Sequence, residues 1–197
     1  MPRLPALLGA TLCAAALFIG CSAPPQKEID RAQHGIDAAR AAGAEQYAPE
    51  AFTAATTALQ QSHEAVDQRD YRLALSRAVD ASDRAEEAAR AAAENKARAR
   101  TATEAAVNAA NAALMQLEAR VKAADAAKVP ARELTPARET ITDAQAALQK
   151  ARALLAAENY PAASEAVTGL DEQIRSEIRV VEAAITLRTA RHPARKR

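Results

Sequence analysis

The chain has 197 residues, 57 of them alanine and 3% aromatic, with no tryptophan and with 26 basic residues against 25 acidic ones. Most of its 49% apolar content is therefore methyl groups rather than core-filling side chains, which excludes an all-β sandwich or barrel, a scaffold built on disulfides and a thick globular core. Abundant alanine with only five glycines points to long helices, and the near-zero net charge supplies no field that would steer the chain to nucleic acid.

Residues 1–20 read as a signal peptide. Arg3 precedes an apolar run from Leu4 to Gly20, shorter than the roughly 20 residues a membrane span needs. Phe18-Ile19-Gly20-Cys21 resembles a bacterial lipobox. That resemblance implies a lipoprotein: the Cys21 thiol receives diacylglycerol, cleavage falls before it, and the new amine is acylated with a fatty acid such as palmitate. Several acyl chains anchor a protein stably, since each buried methylene contributes about 0.8 kcal/mol. Cys13 leaves with the signal and Cys21 becomes a thioether, so cysteine-based metal or redox chemistry is excluded. Ser22 in place of aspartate after the lipobox cysteine implies the outer membrane, facing the periplasm. Without Arg3 the basic residues number 25, equal to the acidic ones. Residues 21–26 form a short proline-containing tether.

A helical hairpin domain with one long helix is expected over residues 27–129. Its first helix runs from Lys27 to Ala42 and ends at Gly43, and Ala44 to Pro49 forms a corner. A second helix runs from Glu50 to Gln68, with Phe52, Ala55, Leu59, Ser62 and Val66 on one face. Asp70 caps a third that starts at Tyr71 and meets no glycine or proline before Pro130. Its thirteen-place seam, Tyr71, Ala74, Ala78, Ala81, Ala85, Ala88, Ala92, Asn95, Ala99, Ala102, Ala106, Ala109 and Ala113, suits close helix packing rather than leucine-zipper spacing. Near Val107 the larger residues move over by one position, to Val107, Ala110, Leu114, Leu117 and Val121. A rotated seam predicts a change of packing partner along the helix.

Pro130 and Pro136 bracket an expected break, and residues 130–187 form a second hairpin. A shift of 89 positions lays Phe52 on Ile141, Leu59 on Leu148, Arg69-Asp70-Tyr71 on Glu158-Asn159-Tyr160 and Ala85 on Ile174, the mark of an internal duplication. The second copy carries more large aliphatic residues and should be the more stable. Residues 188–197 are a basic tail: after Glu182 no acid follows, while Arg188, Arg191, Arg195, Lys196 and Arg197 do. These five are the candidates for an electrostatic contact with an anionic lipid surface, envelope polymer or acidic partner. The competing reading is a basic terminus that favours the end of the preceding helix.

Ala38 to Ala44, the corner Tyr47-Ala48-Pro49-Glu50, and Arg69-Asp70-Tyr71 followed by alanines 74, 78, 81 and 85 together resemble the bacterial envelope proteins grouped as domain of unknown function 4398. The resemblance covers roughly residues 28–105, and it implies a lipoprotein and no catalytic residues. Some members of that family continue into an OmpA-like peptidoglycan-binding domain. This chain continues into more helix, so peptidoglycan binding is not implied. The helix, turn, tyrosine and helix unit also resembles a tetratricopeptide unit, at a much longer spacing.

Chemistry is nearly absent from the pattern. His34, His63 and His192 have no neighbours at metal-ligand spacing, Ser62-His63 lacks a nucleophile elbow, and three glycines beyond the signal provide no phosphate loop. Tyr47, Tyr71 and Tyr160 read as plugs of the hairpin corners. The expectation is an all-α fold of antiparallel hairpins around one long alanine-rich helix, with coiled-coil or tetratricopeptide-like packing. It is expected to be a non-enzymatic, lipid-anchored envelope scaffold or adaptor without metal or cofactor, working with a protein partner or with copies of itself. The alternatives are a periplasmic carrier of lipid or another hydrophobic ligand, and a structural protein of the cell wall.

Overall fold

The computed structural model describes residues 23–191, and among them every regular element is helical. Residues 1–22, which hold the expected signal peptide and Cys21, and residues 192–197 lie outside the described residues. The elements are α1 (Gln26–Ala41), α2 (Ala44–Tyr47), α3 (Pro49–Asp67), α4 (Tyr71–Ala126), α5 (Ala131–Ala156), α6 (Tyr160–Val167) and α7 (Leu170–Arg191). The all-α expectation therefore holds.

Helix α4 is the spine. Asp70 caps it by accepting a hydrogen bond from the Leu73 amide at 3.0 Å, and with no glycine or proline inside, its 56 residues run on for about 84 Å. α3 returns antiparallel along the first half of α4, where the buried Ser62 hydroxyl donates to the Ala74 carbonyl at 2.8 Å. α1 lies parallel to the same half. It approaches so closely that a Cβ at Gly35 would meet the Ala85 methyl at 3.2 Å. Along the second half, α5 runs antiparallel, marked by Arg138 on Asp125, Gln145 on Glu118 and Arg152 on Asn111. α7 then runs parallel, with Arg120 on Glu182 at 2.9 Å.

Two separate cores result. One joins Ile29, Ile36, Phe52 and Leu59 to alanines 78 to 92 of α4. The other joins Leu114, Leu117 and Val121 of α4 to Leu134, Leu148, Ile174 and Val181. The domain boundary expected at residue 129 falls inside this second core, which includes Val129 and closes over the α4–α5 corner. The division of the molecule lies within α4, where no residue between Ala92 and Thr103 is buried. Eleven of the fifteen buried residues of the first core are alanine, against six of seventeen in the second, so the second buries the larger side chains.

The duplication extends further than the hairpin read from the sequence. Gln68, Arg69 and Asp70 donate to the carbonyls of Glu64, Val66 and Ala65, and Ala157, Glu158 and Asn159 repeat these bonds 89 residues on, to Ala153, Leu155 and Leu154. Arg69 and Glu158 both occupy the left-handed region, at φ 58 and 56. Asn159 then accepts from the Ala162 amide as Asp70 does from Leu73. The end of α1 also repeats, at a shift of 85. Ile29, Ala32, Ile36 and Ala39 correspond to Leu114, Leu117, Val121 and Ala124, all buried, and Gly43 at φ 85 corresponds to Lys128 at φ 61. Each copy is thus a three-helix unit. The third helix of the first copy and the first helix of the second are one continuous α4.

Several expectations are corrected. Pro136 does not bracket a break: it sits inside α5, and the turn is at Ala127 to Pro130. The ring removes one ladder bond near the start of the helix, at the exposed Arg132 where water reaches the carbonyl, while the fully buried Leu134 and Ala137 hold the turn in place. The corner at residues 44–49 contains the one-turn helix α2. The second copy's last helix is not continuous, because Thr168 is extended and Gly169, at φ 74, opens α7. Ala102 and Ala109 of the thirteen-place seam are exposed. Buried positions return after eighteen residues from Ala74 to Ala92, after eleven to Thr103 and after eighteen to Val121, each close to a whole number of turns at 3.6 residues per turn. The one-place shift, expected near Val107 and complete by Thr103, therefore keeps the buried face on one side of α4, because a strict seven-residue seam drifts about 20° per heptad on a straight helix. The partner does change, as expected, from α1 and α3 to α5, α6 and α7.

Left-handed backbone costs a non-glycine residue about 1 kcal/mol or more. Arg69→Gly should therefore stabilise the protein by about 0.5–1 kcal/mol, whereas Gly43→Ala, which also pushes a methyl to 3.2 Å from the Tyr47 ring, should destabilise it. Urea unfolding of the two variants checks the opposite signs. Leu148→Ala, at a fully buried site, should cost about 3 kcal/mol. Since the cores are separate, hydrogen exchange should speed up across residues 103–191 and leave the protection of α1 and α3 unchanged.

Candidate functional site

Three places on this rod bring functional groups together: a groove between α1 and α3, the middle of α4, and the end where α4, α5 and α7 meet. The groove, about 430 Å³, is lined by Gln33, Ile36, Arg40, Leu59, His63 and Asp67 among others. Its one hydroxyl, that of Thr56, donates to the Thr53 carbonyl at 2.9 Å. Ser62 is fully buried and its hydroxyl is engaged with the Ala74 carbonyl, while the neighbouring His63 is exposed. Arg40 lies over the Phe52 ring at 5.3 Å and bonds Glu45 at 2.9 Å, and the Glu45 hydrogen bond raises its pKa. Among the described residues no cluster of three His, Cys, Asp or Glu side chains is placed to hold a metal ion. The same residues include no helix long and apolar enough to cross a membrane.

The middle of α4 is where the two copies are strapped to their shared helix. Asn95 donates to the Tyr47 carbonyl at 2.6 Å, which satisfies the end of α2, whereas the Thr103 hydroxyl donates to the Ala99 carbonyl of its own helix at 2.7 Å and lies 3.4 Å from the Tyr160 carbonyl at the start of α6. Lys96 donates to Glu158 at 2.7 Å. This hydrogen bond and the Lys96 charge hold the Glu158 carboxyl below its ordinary range, and Glu158 in turn raises the Lys96 pKa. Between the copies lies an open cleft of about 390 Å³ lined by Ala42, Ala93, Ala97, Lys96, Arg100, Glu158 and Tyr160. Tyr160 is buried at its corner and Tyr47 half-buried, with a buried hydroxyl that has no partner. Tyr71, at the third corner, is half-exposed.

At the far end the α4–α5 corner presents Lys122, Lys128 and Arg132, all exposed, beside the last turns of α7. Of the tail candidates, Arg188 is half-exposed on α7 and Arg191 is the last residue of that helix. Arg195, Lys196 and Arg197, like Cys21, lie outside the described residues. The chain enters the fold beside the start of α4 and α7 ends beside its last turn, so the two termini of the described fold lie at opposite ends of the rod. Lys122, Lys128 and Arg132 carried no motif. Their proximity to the tail depends on the α4–α5 turn and the parallel course of α7.

The outer face of α4 changes character along its length. In the first half it is charged, with Arg72, Asp83, Glu87, Arg90 and Glu94 exposed. In the second, alanines 105, 109 and 112, then Met115 at 64% exposure, then alanines 119, 123 and 126 recur at three- and four-residue spacing, all exposed. No protein-family model, no curated protein and no solved structure matches this chain.

Protonating Glu158 removes the link between Lys96 and the second copy. A carboxyl with a lowered pKa contributes above its unfolded value and loses that contribution as pH falls through its folded one. Relative to the intrinsic rate at each pH, hydrogen exchange over residues 93–102 should therefore rise as the solution is acidified through the carboxylate range. Glu158→Gln should raise it at neutral pH, with the unfolding midpoint of either core unchanged because the pair is exposed.

Proposed function

We propose that this chain is a lipid-anchored protein of the bacterial cell envelope, acylated at Cys21, and that it acts as a helical scaffold or adaptor rather than as an enzyme. The carrying observation is the lipobox-like Phe18-Ile19-Gly20-Cys21 at the end of an apolar run, five residues before helix begins at Gln26. With the acyl chains at Cys21 in the outer membrane, facing the periplasm, the described fold begins at the end of the rod where α4 starts, and α4 itself spans about 84 Å. The exposed alanine face over residues 105–126 is the surface on which a helical segment of a protein partner packs, since methyl side chains let two helices approach closely. The resemblance of residues 28–105 to domain of unknown function 4398 supports the same envelope assignment.

Cys21→Ala, or treatment with globomycin, should abolish labelling by palmitate and move the protein out of the membrane fraction. Persistent labelling of the Cys21→Ala protein would sink the acylation. A photocrosslinker at Met115 should give a discrete protein adduct in intact cells, one that disappears with Cys21→Ala. If Met115 gives no adduct while the anchor is intact, the scaffold reading fails.

A further inference from the structure

We infer that the end of the rod at which the chain enters rests on a phospholipid bilayer through the first two turns of α4, with Leu73, Leu75 and Val79 seated at the level of the headgroups and upper acyl chains. The inference rests on the reading that the residues before 23 hold the chain at a membrane, and it adds a second contact, made by the fold itself.

Three large apolar side chains stand exposed within seven residues of one another at this end, Leu73 and Leu75 at 41% and Val79 at 46%. Tyr71, half-exposed, precedes them, and rings of this kind favour the headgroup level of a bilayer. Residues 71–79 contain no acid and two arginines, Arg72 and Arg77, with Arg69 on the turn before them. A helix start favours acids over cations, so the dipole of α4 does not account for them. Beside phospholipid, arginine stems cover apolar surface while the guanidinium groups reach phosphate. The surrounding acids keep this end near neutral. Asp70 caps α4, Asp80 bonds Arg84 at 2.9 Å, Glu64 and Asp67 stand at the end of α3, and Glu28 and Asp30 of α1 balance Lys27 and Arg31. Apolar burial rather than net charge therefore holds the contact.

The corner folds without these side chains. Its copy 89 residues on repeats the turn bond for bond, yet carries Ala162 and Ser164 where Leu73 and Leu75 stand, and Glu158 where Arg69 stands. In both copies the helix is held by buried residues on its other side, Ala74 and Ala78 in the first and Ala163 and Val167 in the second. The second corner faces the middle of α4, and the first stands where the chain enters. A Cβ at Gly35 would meet Ala85, so Gln26, nine residues earlier and about 14 Å along the parallel helix, is level with Ser76. Residues 23–25 thus stand beside the first turn of α4. Ala23 follows Cys21 by two residues, a span of at most about 7 Å, and the apolar run from Leu4 to Gly20 comes immediately before. A bilayer entered at that point has Leu73 and Leu75 within reach of the layer, about 5–10 Å deep, into which an interfacial apolar face sinks.

The chain holds no tryptophan, so Leu75→Trp gives it a single reporter. The test uses the full chain, reconstituted through its N-terminal end into phosphatidylcholine vesicles brominated at the upper acyl carbons. Leu75→Trp emission should shift to the blue and be quenched at least twofold by the bromines, and should stay so in high salt. Met115→Trp, about 60 Å further along α4, should be unquenched. Giving the corner the residues of its copy, Leu73→Ala with Leu75→Ser, should reduce the quenching of a Val79→Trp reporter several-fold at unchanged co-flotation and an unchanged unfolding midpoint. Co-flotation with Leu75→Trp unquenched would overturn this inference and leave the anchor standing, whereas a chain that fails to co-float would remove both. Equal quenching of Met115→Trp would also overturn it, as would a blue shift of Leu75→Trp that grows with protein concentration in the absence of vesicles, which would assign the patch to contact between copies.

Discussion

The buried face of α4 is made of methyl groups, and the rest of the molecule follows from that. An alanine side chain removes little area from water, so each contact along the first half of α4 stabilises weakly, and stability has to accumulate over length. Alanine is also the best helix former, which allows a 56-residue helix to run without interruption. Close approach follows from the same small side chains: α1 comes near enough at Gly35 that one additional carbon would touch Ala85. Small area per residue, high propensity and close approach together favour an elongated bundle over a compact one.

A straight helix imposes a second condition on that face. A strict seven-residue seam drifts around a 3.6-residue helix and within a few heptads would carry the alanines out of contact. The shift of one position between Ala92 and Thr103 cancels the drift. It also falls where one three-helix unit gives way to the next, so neither core has to accommodate the discontinuity. Asn95 and Thr103 occupy this interval as polar residues, Asn95 bonded to the corner of the first unit and Thr103 to the Ala99 carbonyl of its own helix, with Lys96 reaching Glu158 at the corner of the second. Asn95 replaces an alanine in the seam, and Thr103 lies on the new frame, one position beyond Ala102. Polar side chains are tolerated there because each finds a backbone carbonyl, Asn95 that of Tyr47 at the first corner and Thr103 that of Ala99 one turn back.

Much of the fold was legible because its determinants are local. The three- and four-residue spacing marked the long helix, Asp70 and Asn159 marked two of the starts, and the pairing of Arg69 with Glu158 at a shift of 89 marked a turn that the hydrogen bonds repeat bond for bond. The departures are places where tertiary packing outweighs a local rule. Pro136 stays helical because Leu134 and Ala137 are held by the second core, and Gly169 interrupts a helix that its counterpart in the first copy continues. The exposure of Ala102 and Ala109 was hidden because alanine spacing alone does not distinguish a buried seam from an exposed one. The correspondence of α1 with the end of α4 was hidden for another reason: its shift is 85 rather than 89, and aliphatic residues replace one another at every matched position.

The functional residues were less legible because this architecture distributes them by end and by face rather than by motif. A pocket enzyme announces itself through residue types whose chemistry demands a particular spacing. A rod built from two fused three-helix units offers instead two tips, a waist and a long outer face. Which charges share a tip depends on the direction in which each helix runs. Lys128 and Arg188 are 60 positions apart in sequence, and they come to the same end of the rod because α5 reverses the chain and α6 with α7 reverses it again. The fused helix also places the entry of the chain and its exit at opposite ends. A three-helix unit by itself returns its last helix parallel to its first, one helix length away. Joining two units through an unbroken helix doubles that separation without adding a corner at the junction. Duplication of this kind lengthens the reach of the protein, and it leaves the charges of the last unit at the point farthest from residue 23.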